Sequence, residues 1–287
     1  MMTSLGYQPP TQITPMAKDG VLTVLQLTDL HRYDQLSLPL SKRNLDPHYQ
    51  DCFEVLLTQA LASNRQCDLI LVTGDLVNEV NSQTYDQIFD RLAQTGIPFA
   101  CIAGNHDVTD EVGDNLPFEQ RQLVAQPLDE RLLDHHLIDT PYWQLLLINS
   151  SVPGLVGGEV RADTVDWLRG QLYSSPKPAL LALHHHVIPA GAAWIDGHMA
   201  SRTQQLWSML SEFEQLKVII NGHTHQEQTL KYRGITVYTT PATSYQFKPY
   251  SNDFAFDEEA LPGYRWLQLD NQGNFKSWVE RLNNAID

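Results

Sequence analysis

Residues 72–79 read VTGDLVNE and residues 102–109 read IAGNHDVT. Each begins as an apolar, strand-like run, breaks at glycine, and then presents groups able to hold a metal ion. These are Asp75 in the first stretch and Asn105 and His106 in the second. Such a run, bounded by a turn residue, reads as a buried strand with polar chemistry at its tip. Working outward, the habit recurs three times. VLTVLQLT (21–28) ends at Asp29 and His31, PALLALHHH (178–186) ends in three histidines from His184, and KVIINGHTH (217–225) ends in His223 and His225.

Helical spacing separates these runs. Residues 48–63 and 82–96 carry apolar positions at helical period, the second closed by Gly96. The first hundred residues therefore alternate strand and helix, which implies βαβ units and a largely parallel sheet, with ligands beyond the carboxyl ends of the strands. Further on, 142–150 reads as a strand and 162–174 and 201–213 as helices. Residues 229–240 read as a hairpin about Gly234, and 264–282 as two strands about an Asn-Gln-Gly turn. No repeat, low-complexity tract or clear linker interrupts the chain. One domain over 21–287 is expected, preceded by a flexible leader (1–20) and closed by a C-terminal cover region from about 241 to 287.

Composition narrows the function. The net charge is −15, from 19 Lys and Arg against 34 Asp and Glu, which argues against a nucleic-acid partner. A small anionic substrate approaching so acidic a protein needs a local source of positive charge, and bound metal ions supply one. No run approaches the roughly 18 apolar residues of a membrane span, and the first 20 residues lack the pattern of a secretory signal. Cys52, Cys67 and Cys101 are scattered and outside any CxxC, and Cys101 lies in an apolar run as a core residue would. A reduced, cytoplasmic setting is expected.

The donor set at the five strand ends is carboxylate, imidazole and amide oxygen without thiolate, which suits first-row divalent metals. Asp75 is the natural bridge between two ions. Of the 11 histidines, His31, His106, His184, His223 and His225 fall at these ends. A lone DxH or GD is a weak signal. Five strand ends in order are hard to ascribe to core packing. The glycines before Asp75, Asn105 and His223 are expected to let the backbone turn sharply. His135 and His136 belong to no motif and read as surface residues.

The order DxH, GD, GNHD, a histidine run and GHxH resembles that of the calcineurin-like metallophosphoesterases. The stretches LQLTDLH, LHHHVIPAG, WIDGH, NGHTHQE and SYQFKPYSNDF are similar to the bacterial class III 3′,5′-cyclic AMP phosphodiesterases within them. The matches span roughly 22–270. This resemblance implies a four-layer α/β sandwich of two facing mixed β-sheets flanked by helices. It implies two divalent metal ions, iron or manganese first, with zinc or cobalt also compatible. Asp29, His31, Asp75 and His225 would hold one; Asp75, Asn105, His184 and His223 the other, with His185 the rival of His184. His31, Asn105, His106 and His225 would contact the substrate phosphate, with His106 and Asp75 catalytic. Related enzymes usually carry Pro after the histidine run where this chain has Val187, so the loop 187–198 is expected to differ in shape.

The implied reaction is hydrolysis of 3′,5′-cyclic AMP to 5′-AMP by a metal-activated hydroxide. Two alternatives stand beside it: another small phosphodiester on the same fold, such as a glycerophosphodiester or nucleotide, and a non-catalytic binding scaffold. The second ranks last because every ligand position is filled. Asp107 either orients His106 or a ligand, or caps the next turn. Asp196 and His198 sit either at the pocket rim or on a solvated loop. Trp194 either stacks on a base or covers the core. Residues 244–250, with Tyr245, Phe247 and Lys248, either line the pocket or form a cover or a homodimer contact.

Overall fold

Strand β1 (Leu22–Leu27) is buried along its whole length, as are β2 (Leu69–Thr73) and β3 (Phe99–Ile102). They run parallel, β1 beside β2 beside β3, and β3 continues to the short β4 (Leu132–Leu133). Parallel strands buried on both faces explain why the sequence shows continuous apolar runs rather than alternation. The computed structural model describes residues 7–16, 19–32, 48–62, 65–78, 82–108 and 129–283, with the backbone alone for 48–51. Two later strands, β11 (Gly263–Leu269) and β12 (Phe275–Arg281), join antiparallel at the β1 edge and complete a six-stranded sheet.

A second six-stranded sheet has the order β5 (His136–Asp139), β6 (Gln144–Leu147), β7 (Ala179–Ala182), β8 (Leu216–Asn221), β10 (Ile235–Thr239), β9 (Gln228–Tyr232). Its four central strands are parallel, and β5 and β9 are antiparallel edges. The two-residue turn between β9 and β10 holds Arg233 and Gly234 both at positive φ (50° and 84°), as a type I′ hairpin requires.

Alternate side chains of each sheet face opposite cores. Val24, Leu69, Leu71 and Ile102 meet Leu145, Leu147, Leu180, Val218 and Ile220 in an apolar layer between the sheets. Leu25, Leu27, Ile70 and Val72 face outward onto α1 (His48–Ala62) and α2 (Ser82–Ala93). In α2 the buried Tyr85, Ile88, Phe89 and Leu92 follow helical spacing. On the other outer face, Leu181, Ile219 and Val237 pack with α3 (Ala162–Ser174) and α5 (Thr203–Leu210). The result is helix, sheet, sheet, helix, the four-layer sandwich expected. Among the described residues no helix is long and apolar enough to cross a membrane. All three cysteines are free and buried.

Several details differ from expectation. Residues 7–16, within the expected leader, are tied down: Ile13 N–H donates to Asp139 O (2.9 Å), and Tyr7 OH to Phe99 O (3.0 Å). The rest of that stretch is described only at 19–20. His135 and His136 are half-buried with partners, Thr164 Oγ1 (2.9 Å) and Pro10 O (2.8 Å), and His135 stacks on Trp167. Strands β4 and β5 and the single turn α4 (Ala193–Asp196) carry no clear periodicity, being too short for it.

Candidate metal centre

The five strand ends converge. Asp29 follows β1 by two residues, Asp75 follows β2 by two, Asn105 follows β3 by three, and His184 and His223 follow β7 and β8 by two each. Because the two sheets face each other with parallel central strands, these tips from both sheets meet at one edge of the sandwich. His225 Nε2 lies 3.2 Å from Asp29 Oδ1 and 3.2 Å from His31 Nε2. His184 Nε2 lies 3.3 Å from Asp75 Oδ2 and 3.2 Å from Asn105 Oδ1. His31 Nε2 is 3.8 Å from the same Asp75 oxygen, so Asp75 stands between the two sets. The backbone N–H of His223 donates to Asp29 (3.1 Å), and its ring stands 5.1 Å from that of His184.

The backbone at these tips is unusual. Asp29, His31, Asp75, His223 and His225 all take positive φ, between 46° and 62°. Left-handed residues other than glycine are uncommon and collect at functional sites, where surrounding structure holds them. The glycines contribute differently from expectation. Gly74 does turn through positive φ (97°), but Gly104 is extended. Gly104 and Gly222 instead provide room: a Cβ at Gly104 would overlap the Asp75 carboxylate, and one at Gly222 would overlap Thr28 and Asp29.

Imidazole orientation is set by backbone carbonyls. His184 donates Nδ1–H to Thr73 O (2.8 Å), His225 to Tyr245 O (2.7 Å) and His106 to Asn78 O (2.9 Å). A carbonyl only accepts, so each ring carries its proton on Nδ1 and turns Nε2 toward the centre. His185 behaves otherwise: its Nδ1 meets Ser150 Oγ (2.9 Å) and its Nε2 donates to Val156 O (3.0 Å). Both its nitrogens are engaged away from Asp75.

Electrostatics follow from burial. Burial pushes the Asp75 carboxyl up, but the imidazoles around it, His184 foremost, reverse this and hold it well below the usual carboxylate range. Asp29 is lowered in the same way, chiefly by His225. Burial opposes the His184 cation, yet the Asp75 charge outweighs it and raises the ring to about 9. Burial, with His106 beside it, drives His31 down to about 3. The donor chemistry fits divalent cations. Two buried carboxylates, imidazole nitrogens and an amide oxygen face one another, and a cation at the centre would take the place of the proton that the carboxylates otherwise hold on His184. The buried Nε2 of His223 has no hydrogen-bond partner among the described residues. The triads Asp29–His31–His225 and Asp29–Asp75–His184 each bring one donor atom per residue within 4.8 Å of one another.

Residues outside the motifs complete the surroundings. Asp107 accepts from the N–H groups of Gly104, Leu76 and Val77 and from Tyr85 OH, joining the exits of β2 and β3. Ser244 Oγ donates to Asp29 O (2.8 Å). Asp196 accepts from the N–H groups of Ala190 and Gly191 and lies 3.3 Å from His186 Nε2, so it pins the loop 187–198. Trp194 packs edge-on against Phe247 and Phe254. The sequence offers Ser244 only as the start of the 244–250 stretch and does not mark Asn78 at all, because each acts through a contact no spacing encodes.

The sequence matches the calcineurin-like phosphoesterase family over residues 22–227. It is 54% identical over 280 residues to a probable cyclic nucleotide phosphodiesterase of Psychrobacter arcticus, covering 96% of this chain and 99% of that one. It is 33% identical over 267 residues to the 3′,5′-cyclic adenosine monophosphate phosphodiesterase of Vibrio vulnificus, covering 92% and 91%. A dimetal phosphatase from Danio rerio shares the fold with a TM-score of 0.56 at 14% identity, over 91% of this chain and 98% of that one.

Proposed function

The chain belongs to the calcineurin-like phosphoesterase family, and from that premise we propose that it is a metal-dependent 3′,5′-cyclic nucleotide phosphodiesterase that opens cyclic AMP to 5′-AMP. One observation carries the site assignment: Asp75 stands between an Asp29–His31–His225 set and an Asn105–His184 set, with His223 beside the latter. In this reading Asp29, His31, Asp75 and His225 hold one ion, and Asp75, Asn105, His184 and His223 hold the second. His184 rather than His185 is the ligand, since its Nε2 is the one aimed at Asp75. The names of the relatives support the cyclic nucleotide as substrate.

Asp29, His31, Asp75, Asn105, His184, His223 and His225 would hold two divalent ions, which when bound would supply Lewis acidity and a water nucleophile of lowered pKa. The chain's own residues do the rest. The carboxylates and imidazoles are preorganised by backbone hydrogen bonds, so little rearrangement accompanies reaction. His106 is held by Asn78 through Nδ1, which leaves Nε2 free of that bond, and its ring lies 4.8 Å from that of His31 beside Asp75. When protonated at Nε2, it would give that proton to the departing 3′-oxygen as the P–O3′ bond breaks, while the attacking water, on adding to phosphorus, releases one proton to solvent, from which His106 is reprotonated. The ribose keeps its 5′-phosphate.

Asp75→Asn tests the reading. The expected result is loss of cyclic AMP hydrolysis by more than about 10³-fold, with metal content below two ions per chain. Hydrolysis undiminished by this change overturns the site. A purified protein that leaves cyclic AMP intact while turning over bis(p-nitrophenyl) phosphate or a glycerophosphodiester overturns the substrate alone.

A further inference from the structure

On the side of the centre where His225 lies, the chain beyond β10 folds back as a two-stranded flap. Phe247 pairs with Phe256 antiparallel, Lys248 N–H donates to Ala255 O (2.9 Å), and Asp257 N–H donates to Gln246 O (3.0 Å). One face of this flap is aromatic, and it starts at the candidate ligands. The ring of Phe247 lies on that of His225 (centroids 4.1 Å, planes 22° apart), and Tyr245 lies on His31 (5.1 Å, 24°). Phe254 and Phe256 carry the wall outward, edge to face at 5.0 Å. Trp194, from α4, braces it at 4.8 Å from Phe247 and 5.1 Å from Phe254.

Phe247 is buried, but Phe254 and Phe256 are 57% and 47% exposed. Single exposed apolar residues need no explanation; two adjacent rings on a hydrogen-bonded flap, continuous with a buried aromatic wall, form a patch that calls for an occupant. The wall's continuity with the metal centre says which one. Its inner end touches His225, which sits 3.2 Å from Asp29. The outer rings stand one ring beyond Phe247, at 5.5 and 6.1 Å between centroids, so a ligand anchored by phosphate at the centre would carry a flat aromatic group one ribose away toward them. Ring faces offer stacking without hydrogen-bond readout, so they suit a nucleobase better than a sugar or glycerol.

We infer that Phe254 and Phe256, braced by Trp194, form an edge-and-face platform for the base of the cyclic nucleotide, one ring stacking on the base and the other meeting its edge. This rests on the phosphodiesterase reading above and assigns base recognition to the flap.

Titration calorimetry on the manganese-loaded full chain tests it, using 5′-AMP, ribose 5-phosphate and inorganic phosphate. The expected result is that 5′-AMP binds about tenfold or more tightly than ribose 5-phosphate. The double change Phe254→Leu with Phe256→Leu should bring 5′-AMP to the level of ribose 5-phosphate and leave the latter unchanged. Phe254→Tyr with Phe256→Tyr should restore the preference. Because both positions are exposed, the fold is checked by unchanged metal content and melting temperature. Equal binding of 5′-AMP and ribose 5-phosphate by the unaltered protein, or a preference that survives the leucines, overturns the platform and leaves the phosphodiesterase reading standing. Binding of none of the three phosphates removes both. A dimer that dissociates on the leucine changes, with 5′-AMP affinity untouched, assigns these rings to contact between copies and overturns the platform.

Discussion

Backbone carbonyls decide what three of the site imidazoles can do. Thr73, Tyr245 and Asn78 take the Nδ1 protons of His184, His225 and His106, leaving Nε2 as the working atom in each. For His106 this makes a sharp prediction. His106→Asn should lower kcat on cyclic AMP by about 10²–10⁴-fold without changing metal content. On bis(p-nitrophenyl) phosphate, whose leaving p-nitrophenolate needs no proton, the loss should be far smaller. Equal losses on both substrates remove His106 as the proton donor. The GNHD stretch made His106 legible as a candidate, but not its partner. Asn78 lies 28 residues away and acts through its main chain, where residue type leaves no trace.

Among the elements, the exits of β2 and β3 are held in register by one buried side chain. Asp107 ends a 3-10 turn (Asn105–Asp107) and accepts from Gly104 N (2.9 Å), Leu76 N (3.1 Å) and Val77 N (3.3 Å). Helix α2 adds Tyr85 OH at 2.8 Å. Burial and the nearby Asp75 charge push this carboxyl up to about 6, and the amides and Tyr85 work against that. Of the two sequence readings for Asp107, the turn cap is present, and the same side chain also fixes the loop that carries Asp75. Asp107→Ala strands buried N–H groups, at about 1–3 kcal/mol for each left unpaired. Tyr85→Phe should cost about 1 kcal/mol. Urea unfolding of both variants checks this order, and a Tyr85→Phe loss as large as that of Asp107→Ala contradicts it.

Across the whole molecule, the candidate ligands come from both sheets: Asp29, His31, Asp75 and Asn105 follow strands of the first, and His184, His223 and His225 follow strands of the second. Ions held there therefore tie the two halves of the sandwich together. Free metal at about a thousand times its dissociation constant stabilises the fold by about 4 kcal/mol. Chelation should lower the melting temperature, and restoring manganese should raise it again. An unchanged melting temperature after complete metal removal shows that binding and folding are not linked.

Residue type at the strand tips is a local property, so the five motifs and their order, the βαβ beginning and the donor chemistry were all determined by the sequence by itself. Hydrophobic runs of strand length ending in glycine or polar donors state where a buried strand stops and what it presents. Orientation is not local. That His184 rather than His185 faces Asp75, that Asp29, His31, Asp75, His223 and His225 adopt left-handed backbone, and that an aromatic flap adjoins His225 were decided by the tertiary structure alone. The physical reason is that these choices are made by partners far along the chain, such as Ser244 bonding to the carbonyl of Asp29 from 215 residues away. Only the packing of two sheets brings such groups within hydrogen-bond distance.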